Sequence, residues 1–487
     1  MSEDSLRQNA RAGYVSTYPQ AGPISSLLVR SYQAFLCTSF LSRESYKTTT
    51  LIMPGRLLQW PEWPEFTFEN AEKNEDLLQY KNEIIAQYGE DALRKSWLKV
   101  CGELAKITDD LAEKGTSAIP EIPFEDLLNL SDEQKQRCKD TGCFVVRDVI
   151  PDEQTTKLFW DLKKYVADNR DQISGWPVDN PILSNLYFSP TQISLRSHPN
   201  QLATARALNS WWHDSTGTSS PDPLSYADAV RIRPPKKPLA ALGPHIDAGS
   251  LSRWADPTYR CCYDAVWSGH PEDLDLYDLT KRQYAKQAAF FGSAHSRVLR
   301  AFQGWTALTS AGPGEGSLML YPSIKYATAY VLLRPFFSPP TGDGDIMDYK
   351  SWAFDATTPW FPGTWRDRSQ YLSPTSHPHL RLRECMISIP RMNPGDCIFW
   401  HCDMVHAVEV EHNGEHDACV AYIAATMSTE VNKDYIRKQL ADFKEGRAPE
   451  DFRSERKRVG FEPGFVGWLG EKAILSVEGR RAMGFDA

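Results

Sequence analysis

The sequence of 487 residues lacks several patterns that would fix a function class at once. Its ten cysteines form no CxxC pair, so a structural zinc site is not expected, and scattered thiols indicate a reducing, cytoplasmic compartment. The net charge is -9 and the chain has no block of Lys and Arg residues, which disfavours nucleic-acid binding. The most apolar early stretch, residues 24–41, contains Arg30 and several serines, so no membrane-spanning segment is expected.

Three common catalytic or cofactor motifs are also missing. GxSxG, GxxxxGK and GxGxxG do not occur with the flanking strand and helix that would support a serine-type hydrolase, a nucleotide-phosphate loop or a dinucleotide fold. Aromatic residues are abundant, with 15 Trp and 20 Tyr, and such side chains suit the lining of a pocket. The sequence leaves the oligomeric state open.

The N-terminal part divides into two predicted segments. Residues 1–55 are rich in Ser, Thr and Gln without an apolar period, which predicts a flexible extension. The first 43 residues hold four arginines and only two acids, so a mitochondrial transit peptide is the minor alternative to a cytoplasmic location. Apolar residues at helical spacing between Asn74 and Lys114 predict two helices, so residues 56–114 are assigned as a helical segment packing on the core.

Residues 115–487 are predicted to form the main domain, ending in helices. Its entry should be a helix, a strand and a second helix. Ser131 with Gln134 makes a capping box, and this first helix ends near Gly142. Pro151 marks the start of the second helix. The core-facing residues predicted for that helix are Leu158, Trp160, Leu162 and Tyr165.

From Tyr226 onward, short β-rich runs alternate with Pro and Gly turns. The predicted strands are 229–232, 317–321, 327–333, 386–389, 396–400 and 419–423. Many short strands predict a β-sandwich or barrel rather than a parallel α/β sheet. Two long insertions, residues 254–295 and 338–379, are predicted to be lids or substrate walls.

An HxD unit at the edge of a predicted strand is the first chemical signal. In an extended chain residues i and i+2 point the same way, so His245 and Asp247 can present an imidazole and a carboxylate to one ion. A third ligand is expected where a Pro-Gly turn starts a strand that leads to His401 and His406. Two His and one carboxylate leave positions open on a metal, as in non-haem Fe(II) oxygenases.

Four segments carry a family resemblance: GPHIDAGSLSRW (243–254), RAFQGW (300–305), ATAYVLLRPFF (327–337) and PGDCIFWHCDMVHAVE (394–409). With them the chain, over roughly residues 115–465, resembles the Fe(II)/2-oxoglutarate oxygenase superfamily, and within it the YbiU-like family of bacterial and fungal proteins. The resemblance implies a mainly β core with flanking helices (α+β), built as a double-stranded β-helix of the jelly-roll, cupin-like kind. It also implies Fe(II), 2-oxoglutarate and O2 as cofactor and co-substrates.

The resemblance further implies roles for individual residues. His245, Asp247 and His406 would be the metal ligands and catalytic centre, and His401 would support a ligand or pack in the core. Independently of the resemblance, Asp403 is expected to orient one of these imidazoles. The implied reaction is hydroxylation, desaturation or oxidative cyclisation of a small molecule, such as an amino acid or small carboxylate, with release of succinate and CO2. The alternatives are a cupin-type metal-dependent isomerase or hydrolase, and a non-catalytic binding protein of the same fold.

A bound 2-oxoglutarate needs a cation for its distal carboxylate. Many superfamily members place an arginine soon after the distal histidine, but residues 416–421 contain none. Lys325 and Arg334, which flank the apolar run 327–333, are the first candidates for binding the co-substrate. The alternatives are Arg231, Arg233 and Arg391.

The sequence also offers candidate substrate-wall residues and a second pair of histidines. The predicted substrate-binding residues are Arg253, Trp254, Phe336 and Phe337. Arg253 would suit an acidic group or an amino-acid carboxylate, although a structural ion pair is equally compatible with the sequence. His377 and His379 could form a second metal pair, but the proline between them favours a solvated turn.

Overall fold

The structure, a computed structural model, describes residues 55–69, 76–178, 181–240, 242–290, 296–455 and 461–485. These residues all belong to one compact unit, Ile52–Ala487. Nearly all of the predicted N-terminal extension, with its transit-peptide-like arginines, lies outside the described residues. Among the helices that are described, none has the length and apolar character needed to cross a membrane.

Helices occupy both ends of the described chain and the long insertions. The α-helices are α1 (Leu77–Tyr88), α2 (Glu90–Lys114), α3 (Asp132–Thr141), α4 (Asp152–Asp168), α5 (Pro190–Arg196), α6 (Pro199–Asn209), α7 (Ser252–Ala255), α8 (Pro257–Cys261), α9 (Asp264–Trp267), α10 (Leu279–Arg282), α11 (Ile324–Leu333), α12 (Leu382–Cys385), α13 (Glu430–Lys444) and α14 (Val477–Ala482). The 3-10 helices are Gly115–Ala118, Phe124–Asn129, Arg170–Gln172, Pro271–Asp273, Arg334–Phe336, Tyr349–Ser351, Pro378–Leu380, Glu450–Glu455, Glu462–Gly464 and Gly470–Ala473.

Most strands are short. They are β1 (Glu121–Pro123), β2 (Cys143–Arg147), β3 (Gly175–Trp176), β4 (Leu183–Ser184), β5 (Ser220–Leu224), β6 (Val230–Arg233), β7 (His245–Ile246), β8 (Phe302–Ala307), β9 (Leu318–Leu320), β10 (Phe337–Ser338), β11 (Ala353–Phe354), β12 (Gln370–Tyr371), β13 (Ile387–Ser388), β14 (Cys397–His401), β15 (His406–Val408) and β16 (Ala418–Ser428).

Two large sheets organise these strands into a mixed α+β protein. In the described residues, the larger sheet has the order β1-β2-β14-β8-β16-β6-β4-β3, and β5 pairs with β16. The smaller sheet has the order β12-β7-β15-β9-β13, and β10 pairs separately with β11. Of the pairings that concern the site, all are antiparallel.

Four strand pairs alternate between the two large sheets. The innermost pair, β9 with β13, lies in the smaller sheet, and the next, β8 with β14, lies in the larger one. The pair β7 with β15 returns to the smaller sheet, and β6 with β16 returns to the larger one. Each of these pairs joins strands that are separated in the sequence, and the two sheets therefore share strand pairs along much of the chain.

Several local predictions are confirmed. Two helices, α1 and α2, occupy the predicted N-terminal segment. Ser131 and Gln134 form both hydrogen bonds of the capping box, and Gly142 ends α3 with φ of 74°. Five of the six predicted strands are present as β6, β9, β13, β14 and β16. In α4, however, Trp160 is 59% exposed rather than buried.

The sixth predicted strand, residues 327–333, is wrong, because these residues belong to helix α11. The helix is buried on almost every side, with residues 327–333 all buried. A short run that is apolar all round has no period that separates a buried helix from a buried strand. α11 packs against α2, so a partner remote in sequence supplies the environment that the local pattern does not specify.

Most described residues of the two long insertions pack near the N-terminal helices. Helices α7 to α10, in the first insertion, pack among themselves and against α1 and α2. In the second insertion, Trp352 and His379 pack edge-on or tilted against one another and against Trp97 of α2. The second insertion also contributes β12, which pairs with β7 at the edge of the smaller sheet. The other described parts of the two insertions build the side of the domain that carries the N-terminal helices, which corrects the prediction of lids or substrate walls.

Candidate metal centre and its cavity

His245, Asp247 and His406 lie together in the smaller sheet. Strand β7 pairs with β15 so that His245 and His406 stand opposite each other. Nε2 of His245 lies 3.4 Å from Oδ1 of Asp247, and Nε2 of His406 lies 3.8 Å from Oδ2 of the same carboxylate. Ligand atoms of the three side chains lie within 4.8 Å of one another, so they could share one ion.

Backbone carbonyls fix the tautomer of both imidazoles. Nδ1 of His245 lies 2.7 Å from the carbonyl oxygen of Gly243, and Nδ1 of His406 lies 3.0 Å from that of Met404. Since a carbonyl oxygen only accepts, each Nδ1 carries the proton and donates it. Each neutral ring therefore presents the lone pair of Nε2 toward Asp247, as metal-binding histidines do.

The charges of the three groups suit a cation. Burial lowers the pKa of His406 to about 4, and the neighbouring His245 lowers it as well. Burial alone would raise the pKa of Asp247, but the hydrogen bond with His245 and the charge of His406 hold it well below its usual range. At His245 the interaction with Asp247 outweighs burial and raises the pKa. A bound cation would oppose this effect and keep His245 neutral, because an imidazole must be deprotonated at Nε2 to act as a ligand there.

The turn after Asp247 is held in an unusual backbone conformation. Ala248 has φ of 54°, in the left-handed region that disfavours residues with a Cβ. Arg253, which is 1% exposed, donates through Nη1 to the carbonyl oxygen of Ala248 at 2.9 Å and through Nη2 to that of Asp247 at 3.3 Å. The guanidinium of Arg253 thus stabilises the backbone of Asp247 and Ala248, next to the Asp247 carboxylate.

Arg253 also reaches the segment that precedes His406. Its Nη2 lies 3.3 Å from Oδ1 of Asp403, which in turn pairs with Arg282. The carboxylate of Asp403 therefore binds two arginines, and it does not orient an imidazole as predicted. This network connects the turn that follows Asp247 with the loop that leads to His406.

His401 is occupied away from the triad, as predicted for a packing residue. Its Nε2 lies 3.1 Å from the carbonyl oxygen of Leu276, and its Nδ1 accepts the Asp403 backbone N–H at 3.0 Å. The ring stacks on Trp212 with centroids 5.1 Å apart. Although ligand atoms of His401, Cys402 and Asp403 also lie close together, these contacts leave that group without a free donor set.

A cavity of about 300 Å³ opens beside the triad and is lined by residues of both sheets. This volume is at the small end of the range for ligand pockets. Leu318, Trp400 and Val408 supply apolar wall next to the histidines. Besides the triad of His245, Asp247 and His406, four charged side chains line it: Asp228, Arg231, Arg300 and Asp451.

Arg231, on β6, lines this cavity and is 4% exposed. Within the described part of the chain its Nε has no hydrogen-bond partner, and no acidic side chain forms an ion pair with it. Its cross-strand neighbour is Val420, on the strand that follows His406. A buried guanidinium without an anion is costly, so a bound anion would stabilise this arrangement.

Lys325 and Arg334, the first candidates for the co-substrate, lie away from the cavity. Lys325 is on α11, and its Nζ donates to the carbonyl oxygen of Glu272 at 2.9 Å in an exposed position. Arg334 is buried, donates to the carbonyl oxygens of Ser376 and Phe337, and lies over the rings of Trp352 and Phe361. Both have structural contacts because α11 is a helix on the α2 side of the domain, which corrects the predicted placement.

The predicted substrate-wall residues are also outside the cavity. Trp254 is fully buried and donates through Nε1 to the carbonyl oxygen of Leu332. Phe337 stacks on Trp97, and Phe336 packs against Trp267. These side chains form core between the insertions and α2, and Arg253 acts on the backbone beside Asp247 as described above.

The remaining candidates have structural contacts as well. Arg233 donates to the carbonyl oxygens of Lys237, Glu409 and Val410. Arg391 forms an exposed ion pair with Glu315. His377 and His379 are 0% and 4% exposed, so the prediction of a solvated turn is wrong, and burial lowers the pKa of both. Of the five cations considered for the co-substrate, Arg231 alone lines the cavity.

Three charged residues of the cavity were missed by the sequence reasoning: Arg300, Asp228 and Asp451. Arg300 opens the RAFQGW segment, so its position inside a family motif was the available signal. Asp228 directly precedes the predicted strand at residue 229, and nothing in its spacing to other motifs marks it.

Comparison with known proteins identifies the family. A model described as Gig2-like matches residues 73–485. The chain belongs to the Gig2-like family. It is 31% identical over 394 residues to the uncharacterized protein YbiU of Escherichia coli (strain K12), covering 77% of this chain and 87% of that protein. The match includes α1 and α2, so the family extends further toward the N-terminus than the predicted limit near residue 115.

Solved structures agree with this membership. GlcNAc Inducible Gene 2 (DUF1479) of Candida albicans superposes with a TM-score of 0.75 at 29% identity, covering 85% of this chain and 91% of that one. A much weaker likeness, with a TM-score of 0.33 at 14% identity, is to the non-heme alpha ketoglutarate dependent carbocyclase SnoK, covering 62% of this chain and 87% of that one. A likeness at that level supports no functional conclusion.

Proposed function

We propose that the protein is an Fe(II)- and 2-oxoglutarate-dependent oxygenase that oxidises a C–H bond of a small molecule. The observation that carries this proposal is the convergence of His245, Asp247 and His406 on one point at the wall of a cavity. In the part of the chain that the structure describes, no fourth His, Cys, Asp or Glu joins this group. Three protein ligands leave positions open for a chelating oxo acid and dioxygen, whereas structural zinc sites use four.

The strand pairing supports a double-stranded β-helix as the scaffold. In chain order the eight strands β6, β7, β8, β9, β13, β14, β15 and β16 pair first with last, second with seventh, and so on inward. Successive pairs alternate between the two sheets, as in a folded-over double strand, and jelly rolls have eight strands in two sheets. The proposed metal lies on the pair β7 and β15.

Arg231 is the proposed anchor for the distal carboxylate of 2-oxoglutarate. It is buried, lines the cavity of the triad and has no anionic partner among the described residues. The strand after His406, β16, lacks an arginine, but Arg231 on the neighbouring strand β6 lies opposite Val420 of β16. The cation would therefore come from β6 instead of β16. A planar guanidinium can bind a carboxylate through two parallel hydrogen bonds.

The other residues of the site would position the reactants and exclude water. Bound iron and 2-oxoglutarate supply an oxidant for C–H bonds, with succinate and CO2 as co-products. The Nδ1–H groups of His245 and His406 each donate to a backbone carbonyl oxygen, so both Nε2 atoms would be available to the metal. Trp400 packs against the ring of His406 with centroids 5.4 Å apart, and with Leu318 it keeps the wall apolar.

Succinate formation tests the proposal. Purified full-length protein should convert 2-oxoglutarate to succinate slowly without a primary substrate, and this conversion should require Fe(II) and O2. Zn(II) in place of Fe(II) is the control, because it can occupy the ligands without supporting oxidation. If metal is bound at the triad but no succinate forms under any Fe(II) condition, an isomerase, a hydrolase or a binding protein becomes the better interpretation.

A further inference from the structure

The guanidinium of Arg300 lies at the cavity with donors to spare. Arg300 precedes β8 and lines the same cavity as the triad. Its guanidinium lies over the ring of Tyr226, 5.5 Å from the centroid, and Nη1 is 3.5 Å from Oδ2 of Asp228. Within the described residues, its side chain makes no hydrogen bond. One face is therefore fixed on an aromatic ring, and the N–H donors remain free for a ligand.

The carboxylate of Asp228 lies beside Arg300, and its position is fixed by hydrogen bonds. The backbone of Asp228 is held by Gln192, whose Nε2 donates to the Asp228 carbonyl oxygen at 2.8 Å. Oδ1 accepts the backbone N–H of Ala229 at 2.7 Å, while Oδ2 has only the 3.5 Å approach of Arg300. Burial raises the pKa of this carboxyl, so the neighbouring charges compensate its ionised form incompletely.

The pair is too loosely made to be explained as an ion pair alone. The separation of 3.5 Å exceeds the usual length of a charge-assisted hydrogen bond. Elsewhere in the core the chain forms tight pairs, such as Arg282 with Asp403 at 2.9 Å. Arg300 and Asp228 each keep unused hydrogen-bonding capacity toward the cavity, which favours a ligand that completes both.

We infer that Arg300 and Asp228 bind the carboxylate and the ammonium group of a small α-amino acid, which would be the primary substrate. This inference rests on the proposed function, since it names the substrate of that same site. A simple anion at Arg300 would be repelled by Asp228, and a simple cation at Asp228 would be repelled by Arg300. Adjacent opposite charges thus select a molecule that carries both charges close together.

The size and position of the cavity fit this substrate. Because one cavity of about 300 Å³ contains the triad, Arg231 and the pair, a molecule held by the pair lies next to the proposed metal. The same cavity would also have to take 2-oxoglutarate, so little volume remains. Arg231 would then bind the distal carboxylate of 2-oxoglutarate, and Arg300 would bind the carboxylate of the amino acid.

Anaerobic calorimetry on the full-length Fe(II) and 2-oxoglutarate complex tests the inference, because binding is then measured without turnover. The probes are the standard L-amino acids, followed by the deaminated acid and the decarboxylated amine of the strongest binder. We expect at least one amino acid to bind, and either analogue to bind at least about tenfold more weakly, as for loss of a partly desolvated charge contact. No binding by any of these amino acids overturns the inference.

Two variants assign the contacts. Arg300→Met should lower the affinity for the amino acid by about tenfold or more, and the variant should bind the decarboxylated amine nearly as well as the amino acid. Asp228→Asn should likewise lower the affinity, and it should bind the deaminated acid nearly as well as the amino acid. Arg391→Met, at an exposed ion pair outside the cavity, is the matched control. If Arg300→Met instead weakens 2-oxoglutarate and leaves amino-acid binding unchanged, Arg300 serves the co-substrate and the inference is wrong.

The outcomes separate this inference from the proposed function. Amino-acid binding without any succinate formation would contradict the oxygenase and leave the binding site intact. Succinate formation that depends on Fe(II), together with no amino-acid binding, would contradict the inference and leave the oxygenase intact.

Discussion

Arg282 and Asp403 form a buried bidentate ion pair, with Nη1 to Oδ2 and Nη2 to Oδ1 both 2.9 Å apart. Their side chains are 3% and 0% exposed. Arg253 shares the carboxylate of Asp403 and holds the carbonyl oxygens of Asp247 and Ala248. Both chain segments that carry the proposed metal ligands therefore depend on one carboxylate that would not itself touch the metal.

Replacement of Asp403 tests this dependence. Asp403→Asn removes the negative charge between two buried arginines, and loss of one partner of a buried pair costs roughly 3–5 kcal/mol. We expect a drop of that size in the free energy of unfolding, measured by urea denaturation. We also expect Fe(II) affinity to fall about tenfold or more, as when groups that orient metal ligands are removed.

Asp161→Asn is the control for this experiment. Asp161 pairs with Lys157 on the exposed face of α4, so its loss should change stability little. If Asp403→Asn unfolds at the same urea concentration as the parent and binds Fe(II) equally well, the network does not support the site.

Removal of any proposed ligand should abolish iron binding. His245→Ala, Asp247→Ala and His406→Ala each leave two ligands, which is too few to hold Fe(II) in competition with water. Iron content after anaerobic gel filtration is the measurement, with far-ultraviolet circular dichroism to check the fold. His401→Ala should retain iron, since His401 is bonded to the Leu276 carbonyl oxygen. Iron loss in His401→Ala with iron retained in His406→Ala would reverse the assignment.

Local rules predicted the parts of the site that depend on neighbours in sequence. Side-chain alternation puts His245 and Asp247 on one side of the chain. The Pro-Gly turn predicts the strand that became β14, and His406 follows shortly after it as the first residue of β15. The structure brings these three side chains together. The capping box at Ser131 was predictable for the same reason, because its two hydrogen bonds join residues three positions apart.

Features that depend on remote partners were not predictable. The run 327–333 is a helix because α2 covers it. Lys325 and Arg334 flank this run, so they lie away from the cavity. Arg231 was considered only as an alternative, since a sequence does not tell which face of a strand lines a cavity. Arg300 was overlooked because its partners Tyr226 and Asp228 are more than seventy positions away.

Glu462 should make stability depend on pH. Its carboxylate accepts the backbone N–H groups of Tyr187 and Phe188 at 2.9 and 3.0 Å, and burial raises its pKa from 4.5 to about 7. Between these values the folded chain keeps a proton that the unfolded chain has released. The free energy of unfolding should therefore fall as pH rises from 4.5 to about 7, by about 2–3 kcal/mol from this group.

Glu462→Gln isolates that contribution. The amide does not titrate, so the stability difference between parent and variant should change across this pH range, measured by urea denaturation at several pH values. The parent should lose stability relative to the variant as pH rises. A constant difference from pH 4.5 to 7.5 would mean that the Glu462 carboxyl titrates near its ordinary pKa.

Arg231 is the residue on which the co-substrate assignment depends. Arg231→Met keeps much of the side-chain volume but removes the cation, and loss of one partner from a desolvated charge pair costs roughly 3–5 kcal/mol. The 2-oxoglutarate concentration needed for half-maximal succinate formation should rise by about a hundredfold or more, with Fe(II) affinity nearly unchanged. Lys325→Met and Arg391→Met are controls, because their ammonium and guanidinium groups lie in exposed positions outside the cavity. If Arg231→Met requires no more 2-oxoglutarate than the parent while Arg300→Met does, the two arginines have exchanged roles.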